Sequence, residues 1–157
     1  MDRLDYEILA LLQEDGRRSF TEIGKDTGYS EGTIRKRVTR LVDEGVIRII
    51  GLVDPHLAGF DAPAIIQVAV APPHLEEAAQ TIAHFPEVSY LLMVSGEFDL
   101  IIEVRCHNRE HLASFIRDNL QRVPGVQRTI SSLVLHTYKL AEPSILDLWE
   151  KVAEAPA

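Results

Sequence analysis

Residues Ser19 to Arg48, SFTEIGKDTGYSEGTIRKRVTRLVDEGVIR, leave few folds open. Ser19-Phe20-Thr21-Glu22 has the S-x-x-E spacing of a capping box, which satisfies two backbone N–H groups where a helix starts. Gly28 supplies the permissive backbone that a tight helix-to-helix turn needs. Ser30 can cap the helix that follows. There Ile34, Val38, Leu41 and Val42 recur at helical spacing and form one apolar stripe. Thr33, Lys36, Arg37 and Arg40 fall on the opposite side. An apolar back with a basic, hydrogen-bonding front is what a helix needs to enter the major groove of double-stranded DNA. Gly45 ends this helix, and Val46–Ile50 reads as a short strand, a candidate wing.

Charge has to be read by position. The net charge of −8 argues against nucleic acid when taken over the whole chain. Yet Thr33–Arg40 holds four cations and no acid, and the acidity lies mostly in the second half. That balance weakens non-specific DNA binding, so useful affinity calls for more than one DNA-binding unit per assembly. No apolar run reaches the roughly 18 residues of a membrane helix. The acidic start MDRLDYEILALL does not read as a secretory signal. Cys106 is the only cysteine, so no internal disulfide forms. These features predict a cytoplasmic chain with no membrane segment.

The first helix reads from the cap Asp2 to Glu14, with Leu4, Ile8, Leu11 and Leu12 inward, and Asp15-Gly16 stops it. Asp54-Pro55 and Gly59 punctuate a linker. An internal repeat follows. Phe85-Pro86-Glu87-Val88 and Val123-Pro124-Gly125-Val126 are equivalent, each after an amphipathic helix and before a strand. The helices read over Pro73–His84 and Asn108–Arg122, the strands over Ala64–Ala71, Val88–Ser95, Phe98–Cys106 and Val126–Tyr138. The order β-α-β-β-α-β is the ferredoxin-like arrangement, so the chain is expected to be α+β. Two helices cover one face of such a sheet, but the strands carry apolar residues on both. Self-association through the sheet follows, unless the linker or tail covers the second face. A tail helix over Ser144–Val152 would put Ile145, Leu148, Trp149 and Val152 on one side.

The chain resembles the Lrp/AsnC family of feast/famine regulators. The first half shows Leu4-Asp5 leading into Ile8-Leu9, then Gly28-Tyr29-Ser30, Arg37-Val38, Leu41 and Gly45-Val46-Ile47. The second half shows Gly96-Glu97-Phe98-Asp99, Pro124-Gly125-Val126 and Lys139. The resemblance implies a winged helix-turn-helix joined to a ferredoxin-like ligand-sensing (RAM) domain. It also implies homodimers that assemble further, often to octamers, and amino-acid effectors. The expected division is residues 1–50 for DNA binding, 51–61 as linker, 62–140 for sensing and assembly, and 141–157 as tail.

Base contact is expected from Ser30, Thr33, Lys36 and Arg37, at the N-terminal part of the recognition helix. Arg37 lies nearer the buried stripe, where an acid inside the domain could hold it instead. Arg40 and Arg48 suit phosphate, which positions a protein without reading sequence. Arg35 borders the stripe beside Val42. For an amino-acid effector, Asp99 could pair with the ammonium. Ser95, the Gly96 backbone, Thr129 and Ser131 could meet the carboxylate. Thr129 and Ser131 share a strand parity and so face one side.

No catalytic constellation and no cofactor motif stands out. Cys106, His107 and His111 have zinc-capable donors, but a strand end followed by a helix cap assures them no common face, so no metal is expected. The alternative function is a siroheme decarboxylase-like enzyme on the same architecture, with His84, His107, His111 or His136 acting on the ring. The basic front of the recognition helix has no use in that reading.

Overall fold

The computed structural model describes residues 1–140 and 142–153. It contains two compact units: Met1–Leu52 together with the described residues from Lys139 on, and Val53–Tyr138. Residue 141 and residues 154–157 of the expected tail lie outside the described residues.

The first unit is built on α1 (Arg3–Glu14), α2 (Phe20–Thr27) and α3 (Glu31–Asp43). All three start on a side-chain cap: Asp2, Ser19 and Ser30. Leu4, Ile8, Leu9 and Leu12 of α1 meet Ile23 of α2 and Ile34, Val38 and Leu41 of α3 in one buried core. Val42, expected in that stripe, is exposed instead, because the described apolar residues of α1 and α2 pack on Ile34, Val38 and Leu41 and leave Val42 outside the cluster. Residues 46–50 are not a strand. Their β-branched side chains favour one, but all the strand pairing among the described residues lies within the sheet of the other unit. The tail helix α6 (Ile145–Ala153) belongs to this first unit. Ser144 Oγ accepts from the Asp147 N–H, Ile145 packs on the core, and Trp149 stacks on Tyr6 of α1 at 4.9 Å. Leu148 and Val152, expected on the same buried side, are exposed.

The second unit is a four-stranded antiparallel sheet of β1 (Ala62–Val70), β2 (Val88–Met93), β3 (Leu100–Cys106) and β4 (Val126–Leu133), in the order β2-β3-β1-β4. This is the ferredoxin-like order that the β-α-β-β-α-β reading requires. Even-numbered residues of β1 and β3, from Ala62 to Val70 and Leu100 to Cys106, are buried. They pack with Ala78 and Ile82 of α4 (Leu75–Ala83), which a short 3-10 turn at Pro72–His74 precedes. Leu112 of α5 (Arg109–Ser114), Phe115 and Leu120 complete that core.

Beyond shifts of one or two residues at the ends of β1, β2, β3 and α4, two larger differences from the sequence reading stand out. The helix expected over Asn108–Arg122 is regular only through Ser114, then widens to a π turn at Phe115–Asn119 and tightens to a 3-10 turn at Leu120–Arg122. β4 ends at Leu133 rather than Tyr138, where its pairing with β1 runs out at Ala64.

Candidate nucleic-acid interface and effector turn

The α2–α3 corner is fixed by backbone geometry. Gly28 ends α2 at φ 78°, the left-handed region that glycine reaches without strain. The Tyr29 N–H then donates back to the Gly24 carbonyl at 3.0 Å. Gly24 is needed for another reason, which the sequence reading missed: a Cβ there would lie 2.6 Å from the Tyr29 carbonyl oxygen. Thr21 Oγ1 donates to Glu31 across the corner at 2.8 Å. That hydroxyl, then Arg35, holds the Glu31 carboxyl below the usual carboxylate range. Arg35 also lies over the Phe20 ring, 5.3 Å from its centroid, so its visible role is to brace the corner.

Ser30, Gly32, Thr33, Lys36, Arg37 and Arg40 line one groove along α3, together with Asp2 from the start of α1. Ser30 Oγ accepts the Thr33 N–H at 3.2 Å and lies 2.9 Å from Thr33 Oγ1, so capping already engages both hydroxyls. Among the described residues, Lys36 and Arg48 have no ion-pair partner, whereas Arg37 and Arg40 do. Arg37 donates to Asp2 Oδ2 at 2.7 Å and to Asp5 Oδ1 at 3.0 Å, and Arg40 donates to Asp5 Oδ2 at 2.6 Å. Arg37 is therefore held by acids inside the unit, and Arg40, expected to be free for phosphate, shares one of them.

Asp5 is the buried polar residue of this core, with 0% exposure. Burial pushes its carboxyl up. The Asp2 N–H and the Arg37 and Arg40 guanidiniums outweigh burial, so the net direction is down. Asp2 is held below the usual range by Arg37, then by the Asp5 N–H, and Arg37 is in turn raised by Asp2 and Asp5. Sequence reasoning saw Asp5 only as part of the Leu4-Asp5 family signature and gave it no role. An acid within an apolar stripe was the available signal.

In the second unit, the Val94 N–H donates to the Asp99 carbonyl and closes the β2–β3 turn, with Gly96 at φ 135°. Ser95 and Gly96 are exposed. Asp99 Oδ2 accepts the Val70 N–H at 2.8 Å, so one carboxylate oxygen is engaged by β1. Thr129 pairs with Val68 and Ser131 with Ile66, which places both on the helix-facing side of the sheet. Asp99 also bonds Val68 through its backbone N–H. Asp99 and Thr129 therefore flank β1, about 10 Å apart by strand spacing. Arg128 reaches from β4 to the turn, bonding Glu97 at 2.7 Å and lying 4.6 Å from the Phe98 ring centroid. Sequence reasoning missed Arg128, because a lone cation on a polar strand gives no signal.

The histidines divide. His107 and His111 stack at 5.6 Å, and His111 Nε2 lies 3.2 Å from Glu87. Cys106 turns into the core, where burial, then the Glu87 charge, pushes its thiol up. His84 bonds the Gln80 carbonyl, and His136 meets Tyr138 edge to face. Among the described residues, no group of three metal-ligating side chains gathers.

A capped helix-turn-helix with a basic groove, in a chain that also carries a ferredoxin-like unit, is the build of a two-domain DNA-binding protein. The AsnC-type helix-turn-helix domain matches residues 1–42, and the Lrp/AsnC ligand binding domain matches residues 63–143. An uncharacterized HTH-type transcriptional regulator of Pyrococcus horikoshii is 37% identical over 140 residues, covering 88% of this chain and 89% of its own. An HTH-type transcriptional regulator of Methanocaldococcus jannaschii is 33% identical, covering 88% and 95%. The structure of a Neisseria meningitidis transcriptional regulator in complex with L-Met superposes at TM-score 0.83, with 28% identity over 90% of this chain and 94% of that one. Escherichia coli AsnC shares the fold at TM-score 0.84, with 24% identity over 92% and 98%. The chain belongs to the Lrp/AsnC family: it is a DNA-binding transcriptional regulator with a ligand-binding domain. The siroheme decarboxylase-like alternative is not favoured, since these relatives are transcriptional regulators. Among the described residues, no helix is long and apolar enough to cross a membrane.

Proposed function

We propose that this regulator reads specific duplex DNA through the α3 groove. Ser30, Thr33, Lys36 and Arg37 face bases, while Arg40 and Arg48 take phosphate. The observation that carries this reading is the gathering of Ser30, Thr33, Lys36, Arg37 and Arg40 along one helix face. Lys36 is the base reader with the largest expected effect, because no acid among the described residues neutralises it. Lys36→Ala should weaken binding to a selected operator by about 1–3 kcal/mol and relax preference at one base position. Fluorescence anisotropy on a panel of single-base variants checks this. Unchanged affinity and preference would remove α3 as the reader.

The second unit is proposed to hold a small effector, an amino acid, with Asp99 toward its ammonium and Ser95, Gly96, Thr129 and Ser131 nearby. The L-Met complex of the Neisseria meningitidis relative supports that class. The uncovered sheet face exposes Tyr90, Leu92 and Ile130, which supports a homodimer, and the family resemblance extends that assembly to octamers. DNA-bound dimers of this kind work in the cytoplasm. Ligand that completes a pocket between copies shifts assembly by no more than its differential affinity. Sedimentation velocity across the twenty amino acids should show one that changes oligomer size, with the change weakened in Asp99→Asn. An equal response in that variant removes Asp99 from the pocket.

A further inference from the structure

We infer that Asp2 is a specificity-determining residue of the DNA interface, an acid on the reading face that holds Arg37 away from phosphate. The inference rests on the reading of α3 above. Asp2 is the only acid among the residues lining the groove with Lys36, Arg37 and Arg40. Its side chain is 55% exposed, whereas that of Asp5 is 1% exposed. The two acids therefore have different work. Asp5 is sealed inside the unit. Asp2 lies open to solvent in the α3 groove.

Capping does not explain the charge of Asp2. Its Oδ1 accepts the Asp5 N–H at 3.1 Å, a bond that a serine or asparagine makes about as well. The charge acts on Arg37, through the 2.7 Å bond from the guanidinium to Asp2 Oδ2. Non-specific DNA binding is phosphate attraction and little else, so each cation held back lowers it. An operator that supplies base contacts to Ser30, Thr33 and Lys36 depends less on that one cation. Asp2 thus subtracts more from random DNA than from the operator, and the ratio between them rises. The same bond fixes the fork of Arg37, which favours a base edge over a mobile phosphate.

The experiment compares full-length wild type, Asp2→Ser, Asp2→Asn and Lys36→Ala. The probes are a duplex of random sequence and a duplex selected by the wild type from a randomised pool, each titrated over a range of salt. Both Asp2 variants keep the cap. They should bind the random duplex about twofold to fivefold more tightly, the worth of one exposed ion pair released. Their salt slope on that duplex should steepen, by less than the roughly 0.9 of one full phosphate contact, because Asp5 still holds Arg37. Affinity for the selected duplex should change less, so the specificity ratio falls. If Lys36→Ala loses affinity while the Asp2 variants keep the wild-type ratio and slope, the inference is overturned and the reading of α3 stands. If Lys36→Ala also binds like wild type, both fall.

Discussion

Gly24→Ala should destabilise the helix-turn-helix unit by about 1–3 kcal/mol, the cost of a methyl group forced into a packed site. Glycine to alanine inside a helix ordinarily gains about 0.5–1 kcal/mol, so the expected sign is reversed. The cause is local. A Cβ at Gly24 would sit 2.6 Å from the Tyr29 carbonyl oxygen, a backbone atom that cannot rotate away. Tyr29 is tied to Gly24 by its own N–H, and Ser30 next to it caps α3. Relief therefore moves the start of the recognition helix, and operator binding should fall along with stability. Gly32→Ala is the internal control. Its nearest neighbour to a new Cβ is Ser30 Oγ at 4.0 Å, so the ordinary helix gain applies. Urea unfolding followed through Trp149, which stacks on Tyr6 in the same unit, reads both variants. A stabilised Gly24→Ala protein would show that the corner is not a close approach.

The contrast between these glycines marks what was legible in the chain. Caps are local, so Ser19 with Glu22, and Ser30, announced α2 and α3 correctly. Gly28 was legible because a turn after a helix calls for positive φ. Gly24 was not, because its constraint is the approach of a residue beyond the turn. The alternating burial of β3 was legible, but the end of β4 was not, since a strand lasts only as long as its pairing with a neighbour, and the sequence of β4 alone does not show where that ends. Val46–Ile50 has strand-forming side chains and no partner to make it a strand. The groove on α3 followed from helical spacing. The pairing of Arg37 and Arg40 with Asp5 spans more than thirty residues. The place of Arg37 near the apolar stripe pointed to an acid inside the domain, but spacing within one helix neither named Asp5 nor brought in Arg40.

That pairing gives the second large effect. Asp5→Asn keeps the shape of the side chain but turns its amide toward the donors of Arg37 and Arg40. The first unit should lose about 2 kcal/mol at pH 7, the range of a charged hydrogen bond left unmade. The loss is smaller than for a fully buried pair, because both guanidiniums are partly exposed and can turn to water. The dependence on pH has a definite sign. The Asp5 carboxyl is held below its ordinary value in the folded chain, so its contribution is fully present above the unfolded carboxyl pKa of about 3.9. It is lost as pH falls through the folded value, where wild-type Asp5 becomes a neutral acid much like the variant. Urea unfolding of both proteins at a series of pH values should therefore show a gap that is constant above about pH 5 and closes in acid. A gap that persists undiminished at the lowest pH would mean that Asp5 acts through packing, and that its charge does not hold the recognition helix to α1.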